Sequence, residues 1–177
     1  MKYTYSRFRE EALAFVNYTL QIDVSLQSCQ FVTIPEDDPK ADIIPIESQS
    51  YLEFTMITEG NKSLSFSVFY SIAHQLPELY LSAVDLEGGQ QIKDPMELLG
   101  EEAKGQISEE KRSLFITQKE HPVLSRIVWY IHECRMPEIF GDTEGNRLIQ
   151  WFSLIFPQAF GINLVSLDMA KQLSIVG

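Results

Sequence analysis

Leu64-Ser65-Phe66-Ser67-Val68-Phe69-Tyr70-Ser71-Ile72-Ala73 alternates apolar and small polar residues for most of its length. A period of two gathers the apolar positions on one side, so the run reads as a strand with one buried face. Upstream, Tyr51-Leu52-Glu53-Phe54-Thr55-Met56-Ile57 alternates in part, and Glu59-Gly60-Asn61-Lys62 between the two is a turn signal. The pair therefore reads as a β-hairpin. Cys29-Gln30-Phe31-Val32-Thr33-Ile34 precedes it and is ended by Pro35-Glu36-Asp37-Asp38-Pro39. Glu78-Leu79-Tyr80-Leu81-Ser82-Ala83-Val84 follows, and Asp85-Leu86-Glu87-Gly88-Gly89 turns the chain after it. Strands at close intervals with short turns predict an antiparallel meander. The hairpin edge near Tyr51 to Ile57 is expected to be open to a strand from a partner.

Helical patterns flank this block. Tyr5 to Gln21 places Phe8, Ala12, Phe15, Val16 and Thr19 at helical spacing, with Ser6 as the expected cap and Arg9-Glu10-Glu11 in the first turns. Lys93 to Arg112 is polar and broken by Gly100 and Gly105, which predicts a helical turn after Pro95 and then a loop. Ser113-Leu114-Phe115-Ile116-Thr117 fits either a short strand or a helix end. His121-Pro122 makes a corner, and Ile127 to Ile131 is a short apolar strand. Pro137 and Gly141-Asp142 predict an exposed loop. Leu148, Ile149, Trp151, Phe152, Ile155 and Phe156 form a wide apolar helical surface fit to pack on a sheet. Pro157 is expected to stop or kink that helix, and Leu164 to Leu173 reads as a last, shorter one.

The 177 residues are expected to form one domain, 1–177, with a real core. Apolar residues make up 45% and charged residues 22%, an ordinary globular balance. The formal net charge is -11 and no basic cluster occurs. That argues against nucleic acid and against anionic membrane surfaces, whose phosphates call for Lys and Arg. It favours solubility and a macromolecular partner with a basic patch. No hydrophobic signal core opens the sequence and no stretch reaches the ~20 apolar residues of a transmembrane helix, so the expected compartment is the cytoplasm. Two cysteines and three histidines, scattered as they are, suggest neither a disulfide framework nor a zinc site. No metal and no cofactor is expected. Gly-rich phosphate loops, G-x-S-x-G and H-E-x-x-H are missing from the sequence.

Within Glu120 to Cys134 an apolar, β-prone run, its strand Ile127 to Ile131, leads straight into His132-Glu133-Cys134. If the strand stays extended to its end, His132 and Cys134 share a face and Glu133 takes the other. A thiol reacts as the thiolate, so its surroundings set its reactivity. His132 is placed to accept its proton, orient an incoming group or stabilise developing charge. Glu133 opposes thiolate formation and Arg135 favours it. A buried, inert cysteine is the alternative reading. Cys29, inside a strand, is assigned no role. His121, before Pro122, is expected to stabilise its turn through a ring hydrogen bond. His74, between the third and fourth strands, is open to a structural or a functional role.

Three blocks carry a family resemblance. They are Pro77-Glu78-Leu79-Tyr80-Leu81, Ile116-Thr117-Gln118-Lys119-Glu120-His121-Pro122-Val123-Leu124 and Trp129-Tyr130-Ile131-His132-Glu133-Cys134. Together they resemble the autophagy conjugating enzymes, which act like ubiquitin-conjugating enzymes and share an "EHP…W-Y-x-x-H-P-C" signature. One branch, autophagy-related protein 3, attaches a ubiquitin-like modifier to phosphatidylethanolamine. The other, autophagy-related protein 10, joins the modifier autophagy-related protein 12 to a lysine of autophagy-related protein 5. The chain resembles the second branch, without the first's long acidic insertion or basic membrane-binding helix. Trp151-Phe152-Ser153-Leu154-Ile155 and Gly161-Ile162-Asn163-Leu164 agree with that branch. The resemblance spans roughly residues 65 to 172 and is most specific at the cysteine block.

The resemblance implies an α+β fold with a ubiquitin-conjugating-enzyme-like core. A curved, mostly antiparallel sheet would carry helices on one face and the cysteine at its rim. It implies that Cys134 takes the modifier's C-terminal glycine from the activating enzyme, autophagy-related protein 7, as a thioester that a lysine of the acceptor then attacks. His132 matches the family position two residues before the cysteine, where a side chain can polarise the carbonyl or guide the amine. His74 matches a position where relatives often carry a tyrosine near the site. The chain departs from the pattern at Glu133, which replaces the family proline, and at Arg135-Met136. No residue matches the asparagine that conventional ubiquitin-conjugating enzymes place before their cysteine, so an oxyanion donor would be a backbone N–H or His132. An adaptor of the same fold that binds the same partners without forming a thioester is the second reading. A Cys–His hydrolase, which needs an orienting Asp or Asn and an oxyanion hole, ranks last.

Overall fold

The computed structural model describes residues 3–21, 26–58, 60–100, 104, 116–131 and 145–174. Helix α1 (Tyr5–Gln21) opens the fold and buries Phe8, Ala12 and Phe15 completely. Its cap is Thr4, whose Oγ1 accepts the Arg7 N–H at 3.3 Å. Ser6, the expected cap, lies two residues too far in and directs its hydroxyl to Glu10 instead.

Strands β1 (Leu26–Thr33), β2 (Ser50–Ile57), β3 (Lys62–Ser71), β4 (Leu76–Asp85), β5 (Ile116–Glu120) and β6 (Ile127–Ile131) form one sheet in the order β1-β2-β3-β4-β6-β5. Every pairing is antiparallel, so the first four strands are the expected meander. The β2–β3 hairpin closes through the Thr58 N–H to the Lys62 carbonyl at 2.9 Å, with Asn61 at φ 55. Of the run 113–117, Ile116 and Thr117 enter β5. Residues 51–57 are not an edge. β2 is bonded to β1 along one side and β3 along the other, because β1 pairs with it from Leu26↔Met56 to Thr33↔Ser50. The sheet's outer strands are β1 and β5.

Helix α2 (Arg147–Phe160) buries Leu148, Ile149, Trp151, Phe152, Ile155 and Phe156 against the sheet. Phe152 meets Phe15 at 5.1 Å and Phe54 at 5.8 Å between ring centres, and Phe156 meets Phe66 at 5.0 Å. Such tilted and edge-on pairs add to the area they bury. Pro157 does not stop the helix. Its missing N–H would have bonded the carbonyl of Ser153, an exposed residue on the solvent side, and α2 runs on to Gly161, a left-handed cap at φ 68. Gly100 donates its N–H to the Ala159 carbonyl at 3.0 Å, and a Cβ there would lie 2.7 Å from the Gly161 nitrogen. Only glycine fits that approach. Helix α3 (Leu167–Ser174) starts later than Leu164 because Ser166 caps it, accepting the Met169 N–H at 3.1 Å. Leu164 is instead core. The three α-helices share one face of the sheet, and among the described residues the other face carries no α-helix.

The other face carries a smaller core of Tyr51, Phe69, Tyr80, Val128 and Tyr130, with Ile34 and Val123. His121, 2% exposed, sits among its rings, 5.3 Å from Phe69, 5.7 Å from Tyr80 and 5.8 Å from Tyr51. Its Nδ1 accepts the N–H groups of Val123 at 3.2 Å and Leu124 at 3.1 Å, which is the turn-stabilising role expected of it. The neutral ring therefore carries its proton on Nε2. Burial, and then the positive charge of Arg126, lower its pKa to about 4.

One buried carboxylate joins α1 to α2. Glu11, 6% exposed, accepts the Tyr3 hydroxyl at 2.8 Å, Arg7 Nε at 2.9 Å and the N–H groups of Arg147 at 3.1 Å and Leu148 at 2.9 Å. It thus occupies the electropositive start of α2 beside the true cap, Asn146. Burial and the Glu11 charge raise the Tyr3 pKa, so its hydroxyl stays a donor.

Two outcomes follow from these buried groups. His121 is neutral in the fold but titrates at about 6.5 when unfolded, so the unfolded chain takes up the proton first as pH falls. Stability should decline between pH 6.5 and about 4, by at most about 1.4 kcal/mol per pH unit from this group. Urea unfolding across that range checks it, and His121→Phe should remove the decline due to this residue. Glu11→Ala strands two helix N–H groups, a tyrosine hydroxyl and a guanidinium, and should cost about 3 kcal/mol in the same measurement. Glu11→Gln, which keeps an acceptor, should cost less.

Candidate functional site

β6 leaves the sheet at a defined end. Its last residue, Ile131, stands opposite Leu79 of β4 and Ile116 of β5. Because β4 runs the other way, the exit of β6 lies toward the start of β4 and the four-residue turn that joins β3 to it. Within β6, Val128 and Tyr130 belong to the core on the helix-free face, and Ile131 to the helix-side core.

The start of α2 is held at the same end. Arg7 Nη2 donates to the Gly145 carbonyl at 2.6 Å, and Glu11 binds the next turn. Tyr3, bonded to Glu11, also accepts the Tyr70 hydroxyl on its carbonyl at 2.8 Å. Tyr70 pairs with Pro77 in the β3–β4 ladder. Ile131 and Gly145 are therefore both anchored to one end of the sheet. Residues 132 to 144 lie between them.

His74 stands in the turn at this end and is exposed. Its N–H donates to Ser71 Oγ at 3.4 Å, and Gln75 beside it takes φ 56. Glu78 and Lys119 follow toward the helix-free face. Lys119 Nζ lies 3.4 Å from the Glu78 carboxylate and 4.2 Å from the centre of the Tyr130 ring, and the Tyr80 hydroxyl donates to Glu78 at 3.0 Å. Of the residues expected at the site, the structure brings the His74 turn to the end where β6 exits. His132 and Cys134, with Glu133 and Arg135, lie outside the described residues.

Other candidate chemistry is weak here. Cys29 pairs with Phe54 and packs on the helix-side core; burial raises its thiol pKa, which keeps it protonated. A small hollow on the helix-free face is lined by Glu53, Ser65, Ser67, Ser82, His121 and Arg126. His121 cannot serve as a base for those serines, since two backbone N–H groups occupy Nδ1 and Nε2 carries the proton. Among the described residues no group of three or more His, Cys, Asp or Glu is arranged to hold a metal ion. None of the described helices is long and apolar enough to cross a membrane.

Glu11 was not singled out from the sequence, although a signal exists. It falls between Phe8, Ala12 and Phe15 on the apolar stripe of α1, where a carboxylate requires partners.

The family described as "Autophagocytosis associated protein, active-site domain" matches residues 10–162. Among solved structures, the solution structure of KmAtg10 superposes with a TM-score of 0.57 at 16% identity, covering 94% of this chain and 100% of that one. That likeness establishes the α+β fold, an open antiparallel sheet with helices. No curated protein matches the sequence. The chain belongs to the autophagocytosis associated protein family, through its active-site domain, and its fold is like that of autophagy-related protein 10.

Proposed function

We propose that residues 1–177 act as a single conjugating-enzyme-like domain that carries the modifier autophagy-related protein 12 as a thioester on Cys134. The thiolate of Cys134 attacks the carbonyl of the modifier's C-terminal glycine, held on the activating enzyme, autophagy-related protein 7. The activating enzyme's thiolate leaves. A lysine amine of the acceptor, autophagy-related protein 5, then attacks the new thioester; Cys134 leaves as thiolate and an isopeptide bond forms. His132 polarises the carbonyl or guides the amine, and His74 lines the approach. The reaction uses no cofactor and takes place in the cytoplasm. It involves no nucleic acid, in keeping with the net charge of -11.

The observation that carries this reading is the span of the family match. Residues 10–162 include His132-Glu133-Cys134, which follows β6 directly in the chain. The anchoring of Ile131 and Gly145 to one end of the sheet supports it, since a carrier thiol needs a fixed base within reach of bulky partners. The exposed His74 turn at that end agrees with a role near the reacting groups.

Reconstitution with purified modifier, activating enzyme and ATP tests the proposal. The wild type should form an adduct that a thiol reductant removes. Cys134→Ser should form none or a reductant-resistant ester. His132→Ala should load normally and transfer about 10²-fold more slowly, the loss typical of one acid–base group. His74→Ala should load normally and slow transfer less. Partner binding by the wild type with no adduct would favour the adaptor, a reading for which the replacement of the family proline by Glu133 speaks.

A further inference from the structure

Between β1 and β2 the chain crosses the sheet face opposite the three α-helices as a pinned loop that includes a 3-10 turn, Ile46–Ser48. Ile34 is buried there, and Ala41 and Ile44 pack on the core around Tyr51 and Phe69. Gln49 Nε2 donates to the carbonyls of Ala41 at 2.7 Å and Ile44 at 2.9 Å. Lys40 Nζ donates to the Val123 carbonyl at 3.2 Å. Main-chain bonds from Ala41 to Asp38 and from Ile44 to Lys40 close its turns, and Pro35, Pro39 and Pro45 restrict its backbone further. With these ties the loop holds one shape at little further entropic cost.

The loop nevertheless displays apolar surface. Ile43 is 82% exposed, the most of any large hydrophobic among the described residues, and Ile46 is 69% exposed. Isolated exposed hydrophobes are ordinary. These two flank the inward-packed Ile44 on a segment whose geometry is fixed. The same loop carries Glu36, Asp37 and Asp42, all exposed, with Asp38 and Glu47 partly so. The loop's cation, Lys40, is engaged with Val123.

We infer that the loop Ile34–Gln49 is a docking knuckle for a protein partner whose apolar pocket is rimmed by Lys and Arg, with Ile43 and Ile46 entering the pocket and the carboxylates meeting the rim. Charge selects this occupant. A second copy of a chain with net charge -11 would set acid against acid, and anionic lipid and nucleic acid would be repelled likewise. On one loop that combines apolar side chains with carboxylates, the apolar anchors supply affinity and the charges supply rate.

The probes rest on the proposed function, for they are its three proteins: the modifier, the activating enzyme and the acceptor. Binding of each is measured by fluorescence anisotropy in the Cys134→Ser background, so an absence of thioester chemistry leaves the readout intact. For one of the three, Ile43→Ser with Ile46→Ser should weaken binding at least about tenfold. Glu36→Gln, Asp37→Asn and Asp42→Asn together should slow association and flatten its salt dependence. Both variants alter exposed side chains, so an unchanged melting curve confirms the fold. Unchanged affinity for all three proteins, or no binding by the parent, would overturn the inference. So would sedimentation showing a dimer of the parent that the isoleucine variant abolishes, since the occupant would then be a second copy.

Discussion

The Glu11 carboxylate holds the two halves of this fold in register. It lies on the apolar face of α1, where a charge survives only if its oxygens are fully bonded. Tyr3, Arg7 and the first turn of α2 supply those bonds. The helix dipole adds to them, because the start of α2 is electropositive. Through Tyr3 and Tyr70 the same cluster reaches the β3–β4 ladder. Glu11, near the start of the sequence, thus sets where the first turn of α2 sits. The aromatic contacts of Phe152 and Phe156 hold α2 on the sheet, but apolar packing is tolerant of small slides. The carboxylate is not tolerant, and so it sets the register.

The middle of the fold was legible because β2, β3 and β4 keep one face among hydrocarbon, and a period of two survives in their sequences. Helices α1 and α2 were legible for the same reason at a period of 3.6. The misreadings lie where local patterns are silent. Whether β2 is an edge depends on how far β1 pairs, which is a long-range fact. Thr4 and Ser6 have the same capping chemistry, and only the position of the first turn chooses between them. Pro157 persists in a helix where Ser153, the residue its missing N–H would have met, is exposed, which no rule about proline alone foresees.

At the site, the sequence reading and the structure divide the work. The cysteine block is a matter of residue identity, and the family match includes it. Its supports are matters of tertiary contact. The role of His121 was foreseen from its place before Pro122, yet the depth of its burial among Tyr51, Phe69 and Tyr80 needed the sheet to be assembled. The pinning of the loop by Gln49 and Lys40 is equally invisible in a list of residues.

The exchange of the last two strands has a mechanical consequence. β6 is not an edge of the sheet; it is laced to β4 on one flank and β5 on the other. A tug applied at Ile131 along the strand loads its hydrogen bonds in shear, many at once, and does not peel them open singly. A load applied at that end of β6 is then shared among its pairs with both neighbours, and the sheet is not unzipped pair by pair.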